Sequence, residues 1–325
     1  MAVLTKIGDY DVRPSSIDAG VVRYEATHVL LPRRATIERV EASAPRSAAI
    51  RMMRHACILE ALHHSGVPRV YECGRVDGLP WVAFERIDGA ALETELRSRR
   101  LDGPEVLDLI VDVAAILTDA HARGVLHRDI TPSVIIRTAN REHPVVLAGW
   151  DSACTLDTEL ATPLKGSPRY RAPELIHDLP ADGRVDVFAL GMVCYEALTG
   201  ELPLLSYAPE DAAEPTTLAT LIRAMLSDDP VKRPTAAEVA TMACAIREQT
   251  KAASASAEDE VYASVEIAVD TAREIERAIE DQLQAAPRVK PRWTPQWALE
   301  ERAAAGGLVE IVPRRMRDAR DDGSS

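Results

Sequence analysis

Lysine and asparagine are scarce in this chain of 325 residues, and both scarcities limit its chemistry. Five of the 38 basic residues are lysine, with none between Lys6 and Lys165, and Asn140 is the one asparagine. A site that needs a lysine between those two positions, or an asparagine at any other position, is therefore excluded.

Long apolar runs and paired cysteines are also missing. No run approaches the roughly eighteen apolar residues of a membrane-spanning helix, and the N-terminus lacks the apolar region of a signal peptide. The five cysteines are scattered without a C-x-x-C pair, which argues against a zinc site or a disulfide framework. We therefore predict a cytoplasmic protein that does not bind a membrane.

The charge and the apolar content favour an acidic globular protein. A net charge of -13 disfavours non-specific binding to nucleic acid or to anionic lipid. The apolar fraction of 46% is enough for a proper core, and the length suits one large two-lobed domain or two ordinary ones.

The residue pattern predicts an α+β order. Residues 1–7 form an N-terminal extension, and residues 8–88 resemble short strands interrupted by one helix over residues 47–63. Residues 89–248 are helical in pattern, so a small β-rich lobe precedes a larger α-helical lobe.

The C-terminal part differs in composition. Residues 249–257 are small and polar and predict a linker, whereas residues 258–286 predict an amphipathic helix. A four-three apolar spacing over residues 258–284 permits either a dimer seam or packing on the same domain. Residues 287–325 are rich in proline and charge and are predicted to be partly disordered.

Four polar motifs occur in a fixed order along the second lobe. Together they resemble the protein kinase superfamily over roughly residues 8–248, and they are most similar to Ser/Thr protein kinases, which have a two-lobed fold. The motifs are His127-Arg128-Asp129, Gly166 to Glu174 ending in Ala172-Pro173-Glu174, Asp186 to Met192, and Asp229 to Pro234.

The resemblance implies roles for the retained residues of the H-R-D loop. Asp129 occupies the position of the base that receives the substrate hydroxyl proton. His127 and Trp150 provide bulk in the internal apolar column, and Arg128 is the cation that holds the activation segment.

The resemblance also implies two structural contacts in the large lobe. Asp186 would cap and hold the backbone of the loop that carries Asp129. Arg233 would form a buried ion pair with Glu174, the acidic residue of the A-P-E motif.

The positions that contact ATP and metal in a kinase carry unsuitable residues. Glycines let backbone N–H groups approach phosphate, a lysine and a helix glutamate form an ion pair, and oxygen ligands bind magnesium. The residues found there are Ser16, Asp18 and Val21 for the glycines, Glu38 for the lysine, His55 for the helix glutamate, and Val134 and Gly149 for the metal ligands.

This pattern of loss resembles a degenerate kinase, similar to a bacterial pseudokinase. Without the lysine and the metal ligands, we expect Asp129 to be idle in catalysis and to serve as a hydrogen-bond acceptor in a retained loop. We expect no cofactor, and a protein partner such as an active kinase or a signalling regulator, with the chain acting as a scaffold or allosteric regulator. One alternative is a divergent active Ser/Thr kinase that uses ATP, magnesium and Asp129, with Asp151 as a substitute metal ligand. Another is a nucleotide sensor that works without metal.

Overall fold

The computed structural model describes residues 5–139, 141–155, 167–177, 179–203 and 217–256, and two strands near the C-terminus. The chain divides into two units, Met1–Ile279 and Glu280–Ser325, and each is described by itself.

A single antiparallel sheet dominates the first lobe. Its strand order is β1-β2-β3-β4-β6-β5, and helix α1 follows β4 and packs against it. Alternate side chains of β3 are buried, which gives the sheet one apolar face. The elements are β1 (Lys6–Ile7), β2 (Tyr10–Asp18), β3 (Val21–His28), β4 (Arg34–Val40), α1 (Arg46–Ala61), β5 (Val70–Val76) and β6 (Leu79–Glu85).

The second lobe is mainly helical, with short strands beside its loops. Strands β10, β9 and β7 form one small sheet, and β11 pairs with β8. The elements are β7 (Ala90–Ala91), α2 (Leu92–Leu96), α3 (Gly103–Ala122), β8 (Val125–Leu126), β9 (Ile135–Arg137), β10 (Val145–Leu147), β11 (Cys154–Thr155), α4 (Pro173–Ile176), α5 (Arg184–Thr199), α6 (Leu218–Met225) and α7 (Ala236–Ser256).

Helices α3 and α5 pack on each other at the centre of this lobe, because each has a broad face of buried apolar residues. Asp102 begins α3 in a reciprocal capping box with Glu105, and Pro104 occupies the first turn. Gly124 follows the helix with a φ of 70° and turns the chain into β8. This tight exit places the H-R-D loop directly after the core helix.

The two-lobed α+β fold predicted from the sequence is confirmed, but the linker predicted at residues 249–257 is wrong over residues 249–256. Helix α7 continues there to Ser256, because alanine is a strong helix former even in a run of small residues. The predicted helix at residues 258–286 and its seam lie outside the described residues.

In the second unit, the structure describes β12 (Leu299–Ala303) and β13 (Val309–Pro313), which pair antiparallel. They fall within the tail for which the sequence predicted no strand. Of the helices in the described ranges, none combines the length and apolar character needed to cross a bilayer.

Candidate functional site

A buried carboxylate holds the backbone of the H-R-D loop. Asp186, at the start of α5, accepts hydrogen bonds from the backbone N–H groups of His127 at 2.9 Å and Arg128 at 2.7 Å. Nε2 of His121 lies 2.8 Å from the same carboxylate. Burial alone would raise the pKa of Asp186, but the interactions with His121, His127 and the backbone of Arg128 together outweigh burial, and the pKa lies below its usual value. The carboxylate therefore stays ionised.

The backbone of Arg128 has an unfavourable conformation, which its hydrogen bond to Asp186 stabilises. Its φ is 67°, in the left-handed region that residues with a side chain rarely adopt. Its guanidinium is buried, and Nη1 lies 3.5 Å from the carbonyl oxygen of Ser152, at the start of the following segment. This is the position expected of a cation that holds the activation segment.

His127 and Trp150 pack together beneath the loop. Their rings meet edge to face with centroids 4.5 Å apart. Nε2 of His127 lies 2.8 Å from the carbonyl oxygen of Ala148, and the indole N–H of Trp150 donates to the carbonyl of Leu147 at 2.7 Å. Complete burial lowers the pKa of His127, so its imidazole is neutral in the folded protein at neutral pH.

We expect His127 to make stability depend on pH. Its pKa is about 6.5 in the unfolded chain and lower in the folded protein. Below pH 6.5 the unfolded state therefore binds more protons, and the free energy of unfolding falls as pH falls, by at most about 1.4 kcal/mol per pH unit from this group. The loss ends once pH passes below the folded pKa. Urea unfolding of wild type and His127→Gln from pH 7.5 to 5 measures the difference.

The matched control for this pH profile is His63→Gln, because His63 is exposed. We expect that variant to follow the wild-type profile. Parallel profiles for wild type and His127→Gln would contradict the assignment to His127.

Asp129 is half-buried at a cleft between the loop and the segment that precedes α4. Its backbone N–H donates to Nδ1 of His127 at 3.3 Å. The cleft is also lined by Ile130, Ser167 and Tyr170. The acid that a kinase would use as its base is thus kept at a surface cleft.

The glycine positions of a kinase fall in a tightly paired hairpin. Strands β2 and β3 pair up to Asp18 opposite Val21, and Ser16 lies opposite Arg23. The two turn residues between them both have positive φ, 47° at Ala19 and 83° at Gly20, as in the two-residue turns that fit strand twist. Side chains therefore occur where bare backbone would be needed to approach a phosphate.

Four charged or ionisable side chains meet beside this hairpin, and we call them the Arg23 cluster: Arg23, Glu38, His55 and Asp151. Arg23 and Glu38 are direct cross-strand partners on β3 and β4, and Nε of Arg23 lies 2.8 Å from Oε1 of Glu38. Nη2 of Arg23 lies 3.2 and 3.4 Å from the two carboxylate oxygens of Asp151, in the turn after β10. Nδ1 of His55, on α1, lies 4.0 Å from Glu38 and 3.9 Å from Asp151.

The Arg23 cluster joins both lobes and reverses the charge expected at the centre of a kinase. Glu38, whose side chain is 7% exposed, replaces the lysine, and the cation comes from β3 instead. Burial alone would lower the pKa of Arg23, but the carboxylates of Glu38 and Asp151 raise it above its usual value. The sequence prediction missed Arg23, although pairing the β3 and β4 patterns would have placed it opposite Glu38.

The two positions predicted to lack metal ligands pack on each other. Gly149 has a φ of 76°, and a Cβ built on it would lie 2.5 Å from Cγ1 of Val134. The backbone N–H of Ala148 also donates to the carbonyl of Val134 at 2.8 Å. A longer side chain at position 149 would therefore displace Val134 or the backbone.

The second structural contact is a buried ion pair between Arg233 and Glu174. Nη1 of Arg233 lies 2.7 Å from Oε1 of Glu174, and the arginine side chain is 0% exposed. The same guanidinium donates to the backbone carbonyls of Ser227 and Arg184 at 2.8 Å each, and it lies 4.9 Å from the ring centroid of Phe188. This pair fixes α4 to the segment before α7.

Comparison with known protein families agrees with the resemblance to protein kinases. The model of the protein kinase domain family matches residues 20–243, well over half of the chain. The chain therefore belongs to the protein kinase domain family.

The individual relatives are Ser/Thr kinases. The chain is 31% identical over 192 residues to the serine/threonine-protein kinase PknJ of Mycobacterium tuberculosis, covering 57% of this chain and 33% of PknJ. It is 33% identical over 195 residues to PknF of the same organism, covering 55% and 40%, and 30% identical over 174 residues to PknB of Mycobacterium leprae, covering 50% and 28%. The aligned part thus spans about a third of the length of these relatives.

Proposed function

We propose that this kinase domain does not transfer phosphate, and that it acts by binding another protein as a scaffold or allosteric regulator. The observation that carries the proposal is the Arg23 cluster. It puts two carboxylates and an imidazole where a kinase needs a lysine ammonium beside the phosphates of ATP.

The electrostatics of the cluster support this reading. Phosphoryl transfer depends on cations that neutralise charge on the phosphates. Glu38 and Asp151 would repel a nucleotide triphosphate, and the positive charge of Arg23 is already paired with both of them. A triphosphate would therefore have to displace a partly buried ion-pair network before it could bind.

The packing of Val134 on Gly149 supports the same reading for metal. Valine and glycine supply no side-chain oxygen, and magnesium needs oxygen ligands. The described residues at these two positions thus do not fit a magnesium-bound nucleotide, and there is no room for a ligand side chain at residue 149 without repacking.

Retention of the structural contacts supports a binding role. Asp186 and the Arg233–Glu174 pair keep the loop and the large lobe ordered, as a folded interaction surface requires. The partner, proposed to be an active kinase or signalling regulator, and the cytoplasmic location stay predictions.

Thermal melting with ATP tests the proposal. We expect millimolar ATP not to shift the melting temperature relative to the same buffer and metal without ATP, whether the metal is absent, Mg²⁺ or Mn²⁺, because a ligand that does not bind the native state does not stabilise it. Incubation with labelled ATP and generic protein substrates should also give no transfer. An active Ser/Thr kinase domain run in parallel is the positive control.

The retained Asp129 at its cleft favours the divergent active kinase as a second candidate. A metal-dependent rise in melting temperature, with transfer that is lost in Asp129→Asn, would establish that candidate and overturn the proposal. A rise that needs no metal would identify a nucleotide sensor instead.

A further inference from the structure

We propose that Glu38, His55 and Asp151 form a binding site for a divalent transition metal ion of the zinc class. One ligand atom from each residue, Oε2 of Glu38, Nδ1 of His55 and Oδ1 of Asp151, lies within 4.8 Å of the other two. The site uses no cysteine, which is why the cysteine pattern of the sequence did not indicate it.

The separations suit a shared ion better than direct bonds. Nδ1 of His55 lies 4.0 Å from Glu38 and 3.9 Å from Asp151, too far for hydrogen bonds. Zinc binds nitrogen and oxygen ligands at about 2.0–2.2 Å with tetrahedral geometry, so two ligands of one ion lie roughly 3.4 Å apart. A small inward movement of the three side chains would complete the coordination.

The imidazole of His55 supplies an independent observation. Its Nδ1 atom is buried and has no hydrogen-bond partner among the described residues, although buried polar atoms are almost always paired. The ring stacks on Phe84, with centroids 4.7 Å apart and planes 23° apart, and this contact fixes the ring while Nδ1 stays beside the two carboxylates. A bound metal ion would satisfy this nitrogen.

Arg23 holds both carboxylates of the site in place. It binds Oε1 of Glu38 through Nε and leaves Oε2 beside His55. Its Nη2 lies 3.2 Å from Oδ1 and 3.4 Å from Oδ2 of Asp151, so an ion bound to Oδ1 would share that oxygen with Arg23. A carboxylate that ligates with one oxygen and accepts a hydrogen bond on the other is the usual arrangement around protein-bound metals. The charges of Glu38, Asp151 and Arg23 sum to minus one, so a dication is still attracted.

The donor set indicates the class of ion. One imidazole nitrogen and two carboxylate oxygens suit Zn²⁺ or Co²⁺, and three protein ligands leave one position for water. Mg²⁺ prefers six oxygen ligands and holds its waters, so it should compete poorly. Because Glu38 and His55 belong to the first lobe and Asp151 to the second, the ion would clamp the lobes together.

Calorimetric titration of the full chain, stripped of metal with a chelator and free of nucleotide, tests the site. We expect the wild type to bind one Zn²⁺ that a tenfold excess of Mg²⁺ does not displace. His55→Gln should weaken this binding at least about 100-fold, since even outer-shell partners of a metal contribute 10–100-fold. The matched control is His143→Gln, which removes another histidine 4.0 Å from a carboxylate and should bind Zn²⁺ like wild type.

A second variant distinguishes loss of a metal ligand from loss of the fold. Asp151 is partly exposed, so Asp151→Asn should keep the wild-type circular dichroism spectrum and still lose tight Zn²⁺ binding. Absorption of bound Co²⁺ should report the same loss. The inference is overturned if wild type takes up no tight Zn²⁺, or if His55→Gln and Asp151→Asn both bind as wild type does. Because ATP is absent here, and the ATP assays use chelator-stripped protein with no added Zn²⁺, this result is independent of the proposed function.

Discussion

Replacement of Arg233 by alanine should lower the free energy of unfolding by roughly 3–5 kcal/mol, the cost of removing one partner of a buried ion pair. The loss is large because Glu174 would stay buried without a counter-ion. The carbonyls of Ser227 and Arg184 would also lose their donors. Urea unfolding at pH 7 measures the change, with the midpoint and slope compared between variants.

The matched control is Arg247→Ala, at an exposed pair with Asp108. That variant should cost at most about 1 kcal/mol, because solvent screens exposed ion pairs. Arg233→Lys should recover little of the lost stability, since a single ammonium group cannot replace a planar guanidinium that bonds a carboxylate and two carbonyls. Equal losses for Arg233→Ala and Arg247→Ala would show that burial does not govern this contact.

The residues that hold the large lobe together, unlike Arg23, could be found from the sequence. Glu174, Asp186 and Arg233 each lie in a motif whose order along the chain is fixed, so the resemblance assigned their positions. The contacts that the resemblance implied for them are present in the structure. The motifs, rather than local propensity, made them predictable.

Predicting the complete Arg23 cluster would have required knowledge of the register between strands. The sequence indicated that Glu38 and His55 were wrong for a lysine–glutamate pair, but it gave no sign of a compensating cation. Arg23 is 15 residues from Glu38 and 128 from Asp151 along the chain. Only the pairing of β3 with β4 and the position of the turn after β10 bring them together.

Side-chain packing is the second feature of the site that could not be predicted from the sequence. Val134 and Gly149 appeared in the sequence as two separate losses of a metal ligand. In the folded protein, Val134 fills the space that a side chain on residue 149 would need. The misplaced linker has a simpler cause, because a run of small polar residues that includes alanine is compatible with both linker and helix.

Replacement of Asp186 by asparagine should lower the free energy of unfolding by about 3–5 kcal/mol, since hydrogen bonds to a charged acceptor contribute about 1.5–3 kcal/mol each. Two backbone N–H groups and His121 all depend on this carboxylate. The amide of asparagine keeps the shape but places a donor against one of these donors. Urea unfolding of Asp186→Asn against Asp182→Asn, at an exposed acid two residues before α5, measures the difference.

The same variant should also loosen the H-R-D loop locally. The carboxylate accepts the backbone N–H groups of His127 and of Arg128, whose φ is positive, so without it these two amides should exchange hydrogen much faster than those of α3. Unchanged protection at these two amides would contradict the role of Asp186. Suppose that Asp186→Asn loses stability and amide protection as expected, and that the wild type transfers no phosphate. The H-R-D loop then has a structural role, because the contacts of Asp186 hold the large lobe around it. The same contacts keep Asp129 in place.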